Sequence, residues 1–559
     1  MADADTANIC VQIVLSHFGR FTSVSISCPF CHLLSQSPWK AVASTLLNQG
    51  RLSFPQLVRY SNLKPRTVRA SILVLVQHNI LWHATSEDEG EVFEVNINEC
   101  LSRLRFGRYV LLAEQYFGIP GASIVQLVLD HGKLRPPDIT SRFSPQGSKE
   151  STVYAQALHG LVTSAYLKPS TMLSHISPRD KCILYEAEEK AKIPGFPTAK
   201  ELRQAREVAM GRLKREEDEA EKIGLKPRNL VPSRPSKRIK MSGDDAIDDD
   251  VYFRVNYDRF NVHIRNKLIE AAARERFNDG AALVLKATLR AIESKQWTIA
   301  EVRSDPTTAA NISMQLGDDH ELASGLVLNS RKPKDITLVK AYLNILAFAD
   351  NPTPAGRASS FVSLSGSKVY VEFGIIASRL RKRVLEAVTR ERHGDDGVRI
   401  LRLLLDSGKV DEKQVSKLAM IAPKDVRPLL SAMSAESLIS IQEIPKSADR
   451  NPTRTFYLWY VDLPKACSVL LGNLYKTLYN INVRKQAETE ETSLKAVLEK
   501  RERSDVSQDE GLLTRNEREI LREWELRIER LTVLEAKVEE VVFILKDLGR
   551  LSNAAAEFE

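Results

Sequence analysis

Cys28, Pro29, Phe30, Cys31 and His32 stand in a row whose residue types and spacing could hold a reactive centre. The spacing is shared by three chemistries: covalent haem attachment, a thiol–disulfide pair, and half of a zinc site. Haem attachment belongs to exported chains. Residues 1–7 are acidic and polar, without the basic start and apolar run of a signal peptide. A redox pair normally opens a helix after a strand inside a larger α/β unit, and no such pattern surrounds these residues. A four-ligand zinc site needs two further ligands at sensible spacing. His17 is near, but no second cysteine pair exists. Cys28 and Cys31 are therefore read as two small, half-buried loop residues. A metal or redox protein centred on them stays open as an alternative, and metal analysis of pure protein tests it.

No other constellation points to catalysis. The run Gly394, Asp395, Asp396, Gly397 lacks the Lys-Ser/Thr that follows a phosphate-cradling loop, and reads as a turn. No Gly-x-Ser-x-Gly elbow occurs. The ten histidines are spread thinly, with no His-Glu-x-x-His pair. The expectation is a chain with no active site, no cofactor and no metal.

The basic residues are better placed. Between Arg51 and Ile80 the chain carries Arg51, Arg59, Lys64, Arg66 and Arg69 and no acidic residue. Lys64, Arg66 and Arg69 fall at or just before a helix expected over 65–77. In a helix-turn-helix the start of that third helix can enter the major groove, where Arg and Lys neutralise phosphate. Arg331, Lys332, Lys334 and Lys340 form a similar group. Lys424 and Arg427 form another, and Arg379, Arg381, Lys382 and Arg383 lie on the helix leading to it. From these groups Lys64, Arg66, Arg69, Arg331, Lys332, Lys334, Lys340, Arg381, Lys382, Lys424 and Arg427 are the candidate DNA contacts. The competing reading is a solvated basic face, or one that docks on an acidic protein. Lys226 and Arg228, then Lys237, Arg238 and Lys240, sit in a proline-containing stretch and fit a nuclear localisation signal. The alternative there is a solubilising linker.

The elements that must position these residues repeat. A helix of about a dozen residues precedes a short helix and a third, basic one, and two β-type runs around a polar loop close the unit. That is a winged helix. The first copy has helices over 38–48, 52–60 and 65–77 and strands over 80–83 and 91–96, around an acidic tip. The second has helices over 123–131, 137–143 and 149–164 and a loose wing over 165–185. The third has helices over 278–293, 307–315 and 335–348, with a hairpin around Ser365, Gly366 and Ser367. The fourth has helices over 397–406, 411–419 and 423–433 and strands over 438–444 and 455–461. Residues 198–222 read as a solvated charged helix, and 224–250 as a disordered linker by composition. In the tail, Leu521, Trp524, Ile528, Leu531, Val538, Val542 and Leu545 form a heptad seam, and Leu470, Leu474, Leu478 and Ile481 an earlier stripe. Two long helices folding back on each other, with the turn at 504–511, satisfy both stripes.

The expected fold is mainly α with small β-hairpins (α+β): four tandem winged-helix domains and a C-terminal antiparallel coiled-coil hairpin. The expected boundaries are 1–100, 101–185, a linker over 186–250, 251–373, 374–463 and 464–559. Bulk properties agree with several domains. The chain has 559 residues, 43% hydrophobic and 27% charged, with a net charge of +8. No apolar run is long enough for a membrane helix. Scattered cysteines point to a reducing compartment.

The order of these modules resembles a known family. The stretches that carry the likeness are Ile9-Cys-Val-Gln-Ile-Val-Leu with Phe18-Gly, Leu57-Val-Arg-Tyr-Ser, Val68-Arg-Ala-Ser-Ile-Leu-Val-Leu-Val-Gln-His-Asn, Leu104-Arg-Phe-Gly-Arg-Tyr, and Arg454-Thr-Phe-Tyr-Leu-Trp-Tyr-Val-Asp. The chain is similar to the large winged-helix subunit of the RNA polymerase III-specific heterotrimer, and in part to the alpha subunit of general transcription factor IIE. The resemblance implies a nuclear, non-catalytic polymerase subunit that supports initiation at promoters of small untranslated RNA genes. It implies as partners the polymerase core at its clamp, the two smaller heterotrimer subunits and promoter DNA, with no membrane and no homo-oligomer. The contrasting reading is a winged-helix assembly adaptor without direct DNA contact.

Overall fold

The computed structural model describes the chain apart from residues 1–3, 19–37, 87–89, 144–148, 194–197, 223–224, 227–245, 317–321, 323–325, 327–334, 349–359, 446–454, 502, 504–505, 507–512 and 549–559. Cys28, Cys31, Arg331, Lys332, Lys334, Arg228, Lys237, Arg238 and Lys240 lie outside the described residues, as does most of the expected 504–511 turn. The chain is mainly helical with small antiparallel sheets, and divides into two units, 1–260 with 482–487, and 261–481 with 488–559.

The first unit opens with α1 (Ala4–Phe18), followed by α2 (Pro38–Gln49), β1 (Leu52–Ser53), α3 (Phe54–Ser61), α4 (Pro65–Gln77), β2 (Leu81–Ser86) and β3 (Gly90–Val95). The sheet order is β1-β3-β2. Val42, Leu46, Leu57, Val68, Leu75, Ile80 and Leu81 are buried between these helices and the sheet. Burying each such side chain contributes about 1.5–3 kcal/mol. After α5 (Ile97–Ser102), α6 (Phe106–His131) breaks at Gly118, whose φ of 71° is not helical. Its second half begins the next copy, with α7 (Pro136–Phe143), α8 (Lys149–Thr163) and β4 (Leu167–Pro169).

The second copy departs from the sequence expectation. Its closing strand does not lie within 165–185. That stretch supplies β4, and then α9 (Pro178–Ala191) begins. The missing strand is β7 (Phe253–Val255), which pairs antiparallel with β4, Leu167 opposite Val255. Leu134 bridges Phe253 from the other side. The order Leu134, β7, β4 thus repeats that of β1, β3 and β2. Residues 170–252 are an insertion where a wing loop would be, and the start of the expected 251–373 domain belongs to the second copy. The insertion holds α9, α10 (Ala199–Lys222) and a short ladder of β5 (Leu225–Lys226) with β6 (Ala246–Ile247). α10 is not wholly solvated. Ala205 and Ala209 are buried, and Arg206 and Arg212 pair with Glu186 and Glu188 of α9.

The second unit takes in α11 (Tyr257–Arg276), whose first turn belongs to the first unit. It continues with α12 (Asp279–Glu293), β8 (Thr307–Thr308), α13 (Ala309–Gln315), α14 (Asp335–Ala347), β9 (Val362–Ser365) and β10 (Lys368–Val371), in sheet order β8-β10-β9. Next come α15 (Phe373–Ser407), kinked at Gly394, then β11 (Val410–Asp411), α16 (Glu412–Ala419), α17 (Pro423–Ala435), β12 (Ser440–Pro445) and β13 (Thr455–Tyr460), in order β11-β13-β12.

The helix ends of the first, second and fourth copies are built alike. Each first helix closes on a glycine of positive φ, Gly50, Gly132 and Gly408. Its amide donates to the carbonyl four residues back, on Leu46, Val128 and Leu404. Each third helix ends on a residue near φ 58°, Asn79, Ala165 and Ser437. There Ile80 donates to Leu75, Tyr166 to Leu161 and Leu438 to Met433. These bonds satisfy carbonyls that a helix end leaves open. The third copy has no such glycine: α12 stops at Ser294 in helical geometry.

The tail consists of α18 (Leu463–Thr489), α19 (Thr492–Arg501) and α20 (Arg515–Lys546). α20 starts at a capping box, in which Glu517 accepts from the Thr514 amide and the Thr514 hydroxyl accepts from the Glu517 amide. Lys500 donates to Glu517 at 2.8 Å, and Arg527 donates to Glu488 at 3.1 Å. Residue numbers fall along one arm as they rise along the other, so these arms run antiparallel. At the root, Ala466, Cys467, Leu470 and Leu545 join the core of the fourth copy. Leu521, Trp524, Ile528, Leu531, Val538, Val542 and Leu545 are all buried or half-buried, as their heptad spacing requires.

Candidate nucleic-acid interface

α4 forms because Pro65 sits in its first turn, where its missing amide hydrogen is harmless, and because Val68, Ile72 and Leu75 repeat at helical spacing. The buried stripe fixes which face is left outside. Lys64, Arg66, Arg69, Ala70 and Leu73 are exposed on it. Lys64 is the N-cap residue and supplies no side-chain acceptor, so the amides of the first turn and three cations share one end of the helix. The first turn holds no acidic residue. The Arg69 guanidinium lies 5.1 Å from the ring centre of Phe54, on the neighbouring helix.

Two contacts position the far end of α4. Gln77 Nε2 donates to the carbonyls of Lys133 at 2.8 Å and His131 at 3.2 Å, on either side of Gly132. His78 sits in an aromatic cluster with His17, Phe18 and Phe106. Arg103 lies over the Phe18 and Phe106 rings and donates to the His78 carbonyl at 3.4 Å. Burial, reinforced by Arg103, lowers the His17 pKa to about 3 and that of His78 to about 2, so both rings are neutral near neutrality.

The other candidate cations are placed differently. Arg427 is 75% exposed, but its Nε and a terminal nitrogen both donate to Glu412 Oε1 at 3.0 and 2.9 Å. Lys424 is exposed beside Asp425 in the first turn of α17. Lys340 is exposed on α14, whose first turn carries Asp335. Arg381 requires a correction. It is 4% exposed, and its guanidinium donates to the carbonyl of Leu548, tying α15 to the chain after α20. A buried arginine committed to a carbonyl cannot reach a phosphate. Lys382, next to it, is half-buried in a groove of the second unit. The structure therefore brings Lys64, Arg66 and Arg69 together and leaves the remaining described candidates dispersed.

The positioning residues Gln77 and Gly132 do not stand out in the sequence one at a time. Their signal lies in the recurrence Gly50-Arg51-Leu52, Gly132-Lys133-Leu134 and Gly408-Lys409-Val410. The last residue of each triplet is the first strand position of its sheet, paired with Phe93, Phe253 and Trp459 respectively. Among the described residues no cluster of three His, Cys, Asp or Glu side chains could hold a metal, and no helix is long and apolar enough to cross a membrane.

Three family models match parts of the chain. The RNA polymerase III subunit RPC82 helix-turn-helix domain matches residues 39–84, RNA polymerase III subunit RPC82 matches 156–347, and the POLR3C C-terminal winged-helix domain matches 385–461. Among curated proteins, the chain is 26% identical to the DNA-directed RNA polymerase III subunit RPC-3 of Coccidioides immitis, covering 90% of this chain and 96% of that one. It is 26% identical to the RPC3 subunit of Danio rerio, over 94% and 98% of the two chains, and 26% identical to that of Homo sapiens, over 86% and 89%.

Proposed function

The chain belongs to the RPC82/RPC3 family of winged-helix subunits of RNA polymerase III, and from that premise we propose that it acts in initiation as a non-catalytic, nuclear subunit. In this reading the chain comprises four tandem winged helices and a coiled-coil hairpin. It holds DNA through the start of α4, while other module faces and the hairpin dock on the polymerase clamp and the two smaller heterotrimer subunits. The observation that carries the DNA role is the Lys64, Arg66 and Arg69 group at a helix start without an acidic residue. Such a group captures phosphate with little reading of sequence. Lys340 and Lys424 are secondary candidates, and Arg331, Lys332 and Lys334 remain proposed contacts from sequence. Lys226, Arg228, Lys237, Arg238 and Lys240 are proposed as the nuclear localisation signal.

A duplex-binding salt series on the full chain tests the DNA role. The triple variant Lys64→Glu, Arg66→Glu, Arg69→Glu should bind more weakly. Its log-affinity against log-salt slope should shrink by about 2–3, at roughly 0.9 for each phosphate no longer neutralised. An unchanged slope removes these residues from the DNA role. The adaptor reading has one observation in its favour: Leu73, 70% exposed on the same helix face, and Tyr60, 52% exposed nearby, are apolar surface that a protein partner would cover. If the triple variant keeps its duplex affinity but loses polymerase subunits on purification from nuclear extract, the adaptor reading replaces the DNA one.

A further inference from the structure

The second unit carries a basic groove of about 720 Å³ between α11 and α15. Six cationic side chains line it: Arg276, Arg379, Lys382, Arg383, Arg390 and Arg402. The groove holds two carboxylates, Glu275 and Glu386, and each is already paired, with Arg383 and with Arg402. Asp395, from outside the lining, pairs with Arg390 at 3.2 Å. Six cations thus face three carboxylates, which leaves a net positive charge on a concave surface. Five of the six cations are arginines, whose planar forks fit carboxylates bidentately. Ala272, Ile375 and Ala387 add apolar wall between them.

We propose that this groove binds an acidic peptide segment of a partner protein, in extended form. Arg379 and Arg390 are eleven positions apart on α15, about 16 Å at 1.5 Å per residue. An extended strand covers that with about five residues, placing side chains of alternate positions on the groove side. Carboxylates at alternate positions would meet successive arginines, with small or apolar residues between them against the wall.

Nucleic acid fits less well. A duplex presents phosphates on a convex cylinder and is met by elements that project into its grooves, not by a concave trough. A single strand is held by exposed aromatic platforms as well as by charge. The aromatic residue in this lining is Phe361, which is 1% exposed, with the Arg276 and Arg379 guanidinium groups 5.7 and 5.6 Å from its ring centre. The proposed partner is therefore a protein, and the site belongs to a different unit from the one that carries α4.

The test uses the full chain and a fluorescent twelve-residue peptide with glutamate at alternate positions and Ser and Leu between. A glutamine counterpart and a single-stranded oligonucleotide of equal charge complete the probe set. The glutamate peptide should bind at least tenfold more tightly than the glutamine one. Lys382→Glu with Arg390→Glu should weaken peptide binding tenfold or more. The neutral pair Lys382→Gln with Arg390→Gln should give an intermediate loss at an unchanged thermal midpoint, which separates charge from folding. Failure of the peptide to bind, or equal binding by wild type and both variants, overturns the proposal. Loss of oligonucleotide binding with peptide binding retained overturns it in favour of a nucleic-acid groove. The Lys64, Arg66, Arg69 variant should leave peptide binding intact, so failure of the DNA role and failure of this one are distinguishable.

Discussion

Gly132→Ala should destabilise the first unit much more than Gly50→Ala, although both residues end the first helix of a module. Both have positive φ, 79° and 86°, so an alanine at either place meets the same kind of backbone penalty, about 1–2 kcal/mol. Their surroundings differ. A Cβ on Gly50 would meet nothing within 4 Å, whereas one on Gly132 would stand 2.5 Å from the Gln77 carbonyl oxygen and 2.9 Å from His78 Cα. Those are backbone atoms and cannot rotate away. Relief requires the end of α4 to move off α6, which stretches the Gln77 bonds to His131 and Lys133. Overpacking of this kind costs about 1–3 kcal/mol, bringing the total at Gly132 to about 2–5 kcal/mol. At about 2–4 °C per kcal/mol for a unit of this size, the midpoint should fall roughly 2–8 °C for Gly50→Ala and roughly 4–20 °C for Gly132→Ala. Differential scanning calorimetry reads both. Because the displaced helix carries Lys64, Arg66 and Arg69, Gly132→Ala should also weaken duplex binding below its midpoint. Equal shifts in the two variants would refute the idea that Gly132 seats α4.

Acid should loosen the first unit selectively. His17 and His78 keep lowered pKa values of about 3 and 2 when folded, against 6.5 unfolded. Above pH 6.5 neither state takes up a proton, so their stability is fully present. As pH falls from 6.5 toward the folded values only the unfolded chain binds protons, and by pH 5 each histidine should lower stability by about 2 kcal/mol. Urea unfolding at pH 7 and 5 followed through Trp39 and Trp82 reads this loss, His17→Phe should remove its own share of about 2 kcal/mol, and a pH-independent midpoint would contradict the assignment. A protease site placed within 227–245 tests the divided second module: after cleavage the fragments should elute together, because β7 stays paired with β4 and Leu134, and separation in native buffer would show that the ladder does not hold them. Arg381→Ala should lower the thermal midpoint of the second unit and leave duplex affinity unchanged, whereas a loss of affinity without a loss of stability would restore Arg381 as a DNA contact.

Sequence reading succeeds where one local signal sets each element. In the first module Pro65 starts α4, Gly50 stops α2, and the apolar spacing between them leaves a single helical face to bury. The fourth module and the 521–545 seam follow the same logic. The second module escapes it because its sheet is non-local. Phe253 and Leu167 are more than eighty positions apart, and a three-residue strand has no period long enough to announce its partner. With β4 in view and β7 out of range, the nearest β-type residues pass for the wing. Arg381 escapes it for another reason. Neighbouring cations on one helix, Arg379, Arg381, Lys382 and Arg383, point to different sides, and composition does not say which side another helix covers. The repeated Gly-Arg/Lys-Leu/Val triplet is legible, because it marks where each first helix meets its sheet.

The divided ladder of the second module bears on how its surface differs from that of the first. A winged helix has two surfaces suited to contact, the exposed face of its third helix and its wing. In the first module the third helix carries the cations, and the wing is a short hairpin from β2 to β3. In the second, residues 170–252 replace the wing with the α9–α10 pair, leaving Ile183, Leu184 and Met210 exposed on it at 54–64%. An insertion there leaves the module core untouched, because only the ladder of β4, β7 and Leu134 need close beneath it. Loop closure over such a length adds little entropy, about 0.6 kcal/mol for each doubling. A wing is thus a place in this fold where a new surface can be added at little cost. The apolar residues on α9 and α10 suit a protein partner rather than phosphate. The cation-bearing helix face thus lies in the first module, and the α9–α10 pair of the second carries the exposed apolar surface.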